Sequence, residues 1–182
     1  MLKKNSFLIS LNKPKGIICS HNDEKNRLSI YNLLPKNILK DLKGNIHSVG
    51  RLDFNSQGLL LLTNDTKIKH YLEKPSSKII RIYKVKIQGQ ITKKSLDQIK
   101  KGIYINNIQY KVVNIILLKK TTTYSWVKVV LNQGKNQHIR KVFKKLGFSV
   151  NKLIRLQYGP YKLSTLDVGQ IKWLNITKIK II

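Results

Sequence analysis

The chain has 182 residues, enough for one domain with a proper core. Thirty-six Lys and Arg against eight Asp and Glu give a formal net charge of +28, which points to nucleic acid, and a hydrophobic content of 41% excludes a disordered chain. One cysteine, Cys19, excludes an internal disulfide and a cysteine-based zinc site, and no run of about eighteen apolar residues offers a membrane span. The basic residues are nearly all lysine, alanine is absent, and arginine stands only at 27, 51, 81, 140 and 155. That composition reads as drift toward AT-rich codons, with many lysines as solvated passengers. The five arginines are the more informative cations.

The first ten residues lack the apolar length and cleavage site of a signal peptide and soon alternate as a strand over 7–12. Lys13-Pro14-Lys15-Gly16 is a turn, with Lys13 and Lys15 readable as a plain basic turn or as RNA contacts. A short strand is expected at 17–20, a loop at 21–27, a helical stretch at 28–34 closed by Pro35, and a lysine-rich connection at 36–45. Asp65 caps a helix from Thr66 to about Glu73, stopped before Pro75. Residues 79–88 alternate as a strand, Thr92 caps a helix through Lys101, and Gly102 ends it. Strand regions at 103–118 and 122–131 precede a loop at 132–137. Ile139, Val142, Phe143 and Leu146 then mark an amphipathic helix closed by Gly147. Strands follow at about 148–158, 161–163 and 171–174. The class is α+β, a largely antiparallel mixed sheet with flanking helices, as one domain over 1–182.

The stretch His47 to Asp65 stands out. A four-leucine run, Leu59 to Leu62, reads as a buried strand, and ahead of it lies a polar turn with Gly50 and Gly58 at its ends and Asp53 inside. In so basic a chain, an acid on a loop before a buried strand is a candidate for chemistry. On spacing alone an Asp in such a turn more often only bonds its own backbone.

Gly50-Arg51-Leu52-Asp53, then Ser56-x-Gly58-Leu59-Leu60-Leu61-Leu62-Thr63-Asn64-Asp65, resembles the signature of the RsuA/RluB/RluE type of ribosomal RNA pseudouridine synthase. The opening Leu-Asn-Lys-Pro-x-Gly and the segment Val150 to Pro160 resemble the same family, so the likeness runs from about 7 to 174. It implies the pseudouridine synthase fold with a central catalytic cleft, and isomerisation of a uridine in ribosomal RNA. Asp53 would be the nucleophile, Tyr83 would stack on the uracil and handle protons, and Arg140 would hold Asp53 ionised. Arg51, Lys135, Asn136, Gln137, His138, and Leu153 or Ile154 as an apolar wall, would bind substrate. His138 is expected at the surface or on RNA, and no histidine spacing suits a metal. The reaction needs no cofactor, because the ribosyl bond moves from ring nitrogen to ring carbon without redox change. The resemblance points to large-subunit RNA and a catalytic domain without the small N-terminal RNA-binding domain of most relatives, the single cysteine fits a reducing cytoplasm, and a monomer is expected. The rivals are the same reaction on small-subunit RNA and a non-catalytic ribosome-assembly factor.

Overall fold

The computed structural model describes residues 6–21, 23–36 and 45–179. A nine-stranded mixed sheet runs through it in the order β11-β1-β3-β9-β4-β8-β7, with β2 paired to β3 and β10 to β9. The strands are β1 Leu8–Lys13, β2 His47–Val49, β3 Gln57–Thr63, β4 Arg81–Gln88, β7 Asn114–Lys120, β8 Tyr124–Leu131, β9 Val150–Tyr158, β10 Tyr161–Lys162 and β11 Ile171–Trp173. Among the described residues, β3 and β9 form the sheet's one parallel pair, and the rest are antiparallel.

Leu59, Leu60, Leu61 and Leu62 are all fully buried because the sheet is covered on both faces at β3. Leu60 and Leu62 pack with Ile9, Leu11 and, further along, helices α2 (Lys93–Lys101) and α3 (His138–Lys145). Leu59 and Leu61 face the other way, onto Ile68 and Leu72 of α1 (Thr66–Glu73). Each such leucine contributes about 1.5–3 kcal/mol on burial. Asp65 caps α1 as expected, its carboxylate accepting from the Lys67 amide at 2.8 Å. Thr92 caps α2 in the same way through the Ser95 amide.

Two expected elements differ. Residues 17–20 make only a single parallel bridge, Ile18 to Ser29, whereas the helical stretch expected next is present as a 3-10 turn, Ile30–Leu33, capped by Ser29. The region 103–118 splits into a separate hairpin, β5 Ile103–Ile105 and β6 Ile108–Tyr110, followed by β7. Asn106 and Asn107, both with positive φ (48° and 62°), make that two-residue turn. Most of the lysine-rich connection lies outside the described residues. Among those described, no helix is long and apolar enough to cross a membrane.

The crossing of β3 with β9 sets the place of the site. Gly58 sits opposite Lys13 on one side and Arg155 on the other. Its φ is +99°, and a Cβ there would come 2.4 Å from the Arg155 carbonyl oxygen. Only glycine allows so close an approach of the two strands.

Candidate active site

A cleft of about 800 Å³ opens at this crossing, lined by the 50–56 loop, the 132–137 loop, the start of α3 and the inner faces of β4 and β9. A β-bulge makes the β9 wall. Ile82 pairs with Gln157 but Tyr83 with Arg155, so one extra residue of β9 shifts the alternation. Leu153, Arg155 and Tyr158 thereby all line the cleft, opposite Arg81 and Tyr83. Tyr83 is buried in the wall, near the middle of the sheet.

Asp53 stands on a loop whose backbone is fixed carbonyl by carbonyl. The Arg51 oxygen accepts a long bond from Arg155 Nη1 (3.5 Å), that of Leu52 from Cys19 Sγ (3.3 Å), and that of Asp53 from the Ser56 amide (2.9 Å) and Lys13 Nζ (3.4 Å). The Phe54 oxygen accepts from the Gly16 amide (2.9 Å), that of Asn55 from Arg140 Nη2 (3.1 Å), and that of Ser56 from Lys13 Nζ (3.2 Å). Six consecutive carbonyls are thus held by donors from the 13–19 segment, α3, β9 and the loop itself. At the far end the Gly50 amide donates to Glu73 of α1 at 2.6 Å. A loop tied this way presents its carboxylate with little freedom to lose, which is what a reacting group requires.

Lys13 is neither an exposed turn lysine nor an RNA contact. It is fully buried, and burial pushes its ammonium below the ordinary value although the Cys19 and Asp53 side chains pull the other way. Its third acceptor is the Pro14 oxygen at 3.0 Å. A buried cation persists here because carbonyl oxygens surround it.

Arg140 approaches Asp53, with Nε 4.0 Å from Oδ2. The two are opposite charges across the cleft rather than a hydrogen-bonded fork, since the outer guanidinium nitrogens are committed to the Val150 and Asn55 oxygens at 3.1 Å each. The Arg140 side chain is 24% exposed and that of Asp53 38%, so solvent screens the pair.

Of the other expected substrate contacts, Arg51 is exposed on the rim, and Asn136 and Gln137 line the cleft. Lys135 also lines it but is tied back, donating to the Gln109 oxygen at 2.6 Å with its ammonium 5.1 Å from the Tyr110 ring centre. Leu153 faces the cleft, whereas Ile154 belongs to the opposite face by strand period and is not part of the wall.

His138 is not the surface side chain expected. It is 3% exposed, edge-on to Tyr110 at 5.1 Å, and burial, helped by Lys135, pushes its imidazole down to about 4. Its place at the head of α3, beside buried Ile139, draws it inward. Among the described residues, neither ring nitrogen has a hydrogen-bond partner, and the same holds for Ser56 Oγ and Arg155 Nη2. All three side chains belong to the cleft lining, with these polar atoms closed off from its surface. Residue pattern alone did not place Ser56, Arg155 or Lys13 at the Asp53 loop. Arg155 carried a signal, as one of five arginines in a lysine-rich chain. Among the described residues, no group of three or more His, Cys, Asp or Glu is placed to hold a metal ion.

Comparison with known proteins bears on this arrangement. A protein of Rickettsia bellii, described as an uncharacterized RNA pseudouridine synthase, is 42% identical over 162 residues, covering 88% of this chain and 67% of its own. The ribosomal large subunit pseudouridine synthase B of Buchnera aphidicola subsp. Schizaphis graminum is 37% identical over 186 residues, covering 99% of this chain and 71% of its own. The chain spans about two thirds of the length of the curated relatives it matches. A crystal structure of a pseudouridylate synthase superposes with a TM-score of 0.82 at 24% identity, over 97% of this chain and 73% of that one, and shows the same fold. The family model for RNA pseudouridylate synthase matches residues 7–145, across both the Asp53 loop and Arg140, and the chain belongs to that family.

Proposed function

We propose that this protein isomerises a uridine of ribosomal RNA, in the large subunit, to pseudouridine, with Asp53 as the nucleophile. The observation that carries the reading is the pinned loop, which holds Asp53 through six satisfied carbonyls at the mouth of a cleft with a tyrosine in its wall. The large-subunit assignment follows the name of the Buchnera relatives.

The chemistry fits the residues. The bond from ribose to ring nitrogen breaks, the ring turns, a bond forms to carbon five, and the proton on that carbon leaves. Asp53 attacks or stabilises as an anion, and Arg140 stands 4.0 Å away with its outer nitrogens bonded elsewhere, so it leaves the Asp53 oxygens open. Tyr83 offers a ring face to the uracil and a hydroxyl for proton handling. Uracil presents two carbonyl oxygens and one N–H along its edge, and the Asn136 and Gln137 amides that line the cleft carry donors and acceptors for such an edge. A base buried in a folded RNA reaches the site by flipping from its stack. Pseudouridine mapping of large- and small-subunit RNA from cells with and without the protein tests the reading. It predicts one or a few large-subunit positions that disappear. Loss confined to the small subunit would move the substrate, and loss nowhere would overturn the function.

A further inference from the structure

The sheet face opposite the cleft is open over β9, β4 and β8. Strand period puts Lys84 and Lys86 of β4, Trp126 and Lys128 of β8, and Lys152 of β9 on it, while Tyr83, Val85, Val127 and Leu153 point to the buried side. Register then sets lysine against lysine. Lys84 lies directly across from Lys128, and Lys86 directly across from Lys152. Like charges directly opposite on a sheet destabilise it. No acidic residue occurs anywhere in β4, β7, β8 or β9 to offset them. A lysine-rich composition accounts for the number of lysines, but not for two facing pairs on one uncovered face.

Aromatic rings order two of these cations. Lys84 Nζ lies 4.9 Å from the Trp126 ring centre and Lys86 Nζ 4.0 Å from that of Tyr124. A ring beneath an ammonium restrains a flexible stem and leaves the outer hydrogens free to bond. The rings are themselves half-buried, so they support cations and do not protrude as a stacking platform or a lipid anchor.

We propose that this face is a second RNA-binding surface, which takes the phosphodiester backbone of a folded RNA whose uridine enters the cleft on the other side. The identity of the polyanion rests on the RNA-modifying reading of the cleft. The fit is one of charge: ammonium groups, two of them ordered by rings, on strands without an acidic residue release counterions from phosphate and read no sequence. A large folded RNA can reach both faces, and a short hairpin filling the cleft cannot.

The test replaces Lys84, Lys86, Lys128 and Lys152 together by Gln, with an all-Arg set at the same positions as the charge-keeping control. Affinity for a folded ribosomal RNA fragment is measured against salt, beside turnover on a short hairpin. The Gln protein is expected to lose about 2–3 from the slope of log affinity against log salt and tenfold or more in affinity near physiological salt. Hairpin turnover stays the same, the Arg protein binds like wild type, and melting temperature does not fall, because facing like charges have been removed. Lys152→Glu, at an exposed position, is the second variant and should weaken folded-RNA binding by itself. An unchanged slope in both variants overturns the proposal, as does equal loss of affinity for the hairpin. Binding to vesicles of anionic phospholipid that disappears in the Gln protein, with RNA affinity intact, overturns it in favour of a membrane. A wild type that binds folded RNA through these lysines yet forms no pseudouridine would overturn the reading of the cleft and leave this surface standing.

Discussion

Mild acid should weaken this fold through one side chain, His138. The imidazole is buried beside Tyr110 with no partner on either nitrogen, and its value falls from 6.5 to about 4. In the native state it therefore stays neutral down to about pH 4, whereas in the unfolded chain it takes a proton below about 6.5. The stability tied to neutral His138 is fully present above the unfolded value and drains away as pH falls toward the folded one. The whole shift corresponds to about 3 kcal/mol, of which about 2 kcal/mol is gone by about pH 5. Among the described residues, the other acid-range group with a clear shift is Asp23, held down to about 2 mainly by its hydrogen bond from Arg27, and it titrates below this window. Urea denaturation at about pH 7.5 and about pH 5, on wild type and His138→Gln, isolates the effect. Wild type should lose about 2 kcal/mol more than the Gln protein over that interval. Equal losses would mean that His138 is hydrated or partnered in solution.

Lys13→Met takes a buried ammonium from three carbonyls, two of them on the Asp53 loop, and recovers part of the burial cost of the charge. Stability should fall by about 1–3 kcal/mol, with turnover reduced far more than RNA affinity, as read by denaturation and single-turnover kinetics. Unchanged turnover would show that the loop holds its shape without Lys13. Arg140→Ala removes a charge 4.0 Å from Asp53 and the ties to Asn55 and Val150, so it should cost about 1–2 kcal/mol and at least tenfold in turnover. Arg140→Lys should fall between, keeping the charge but not both ties. An Ala protein as active as wild type would refute that role.

Much of the fold was legible because local signals agreed with the tertiary structure. The leucine run, the Asp65 cap ahead of α1 and the 139–146 periodicity each specify an element that burial then reinforces. The hairpin at 103–110 was obscured because its apolar residues run on without a Gly or Pro, and its turn is made by Asn106-Asn107, whose tolerance of positive φ was the available clue. The surroundings of the Asp53 loop were less legible, for a different reason. Lys13 and Arg155 look like surface cations in a sequence full of lysine. They are buried because Gly58, which has no side chain, lies between them and lets them reach the loop carbonyls. That relation depends on strand pairing between residues far apart in the chain, so neither hydrophobic period nor charge could reveal it. The β9 bulge that turns Tyr158 to the same side as Arg155 is hidden for the same reason.

The central claim is that Asp53 carries out the conversion of uridine to pseudouridine. Its most direct measurement uses ribosomal RNA labelled with tritium on carbon five of uracil, because that hydrogen must leave as the new carbon–carbon bond becomes permanent. Purified wild type should release tritium to water in proportion to the pseudouridine formed. Asp53→Asn, of the same shape but without the anion, should bind the RNA as tightly and release none. Release by the Asn protein at a rate near wild type, or none by wild type from either ribosomal RNA, would contradict the account.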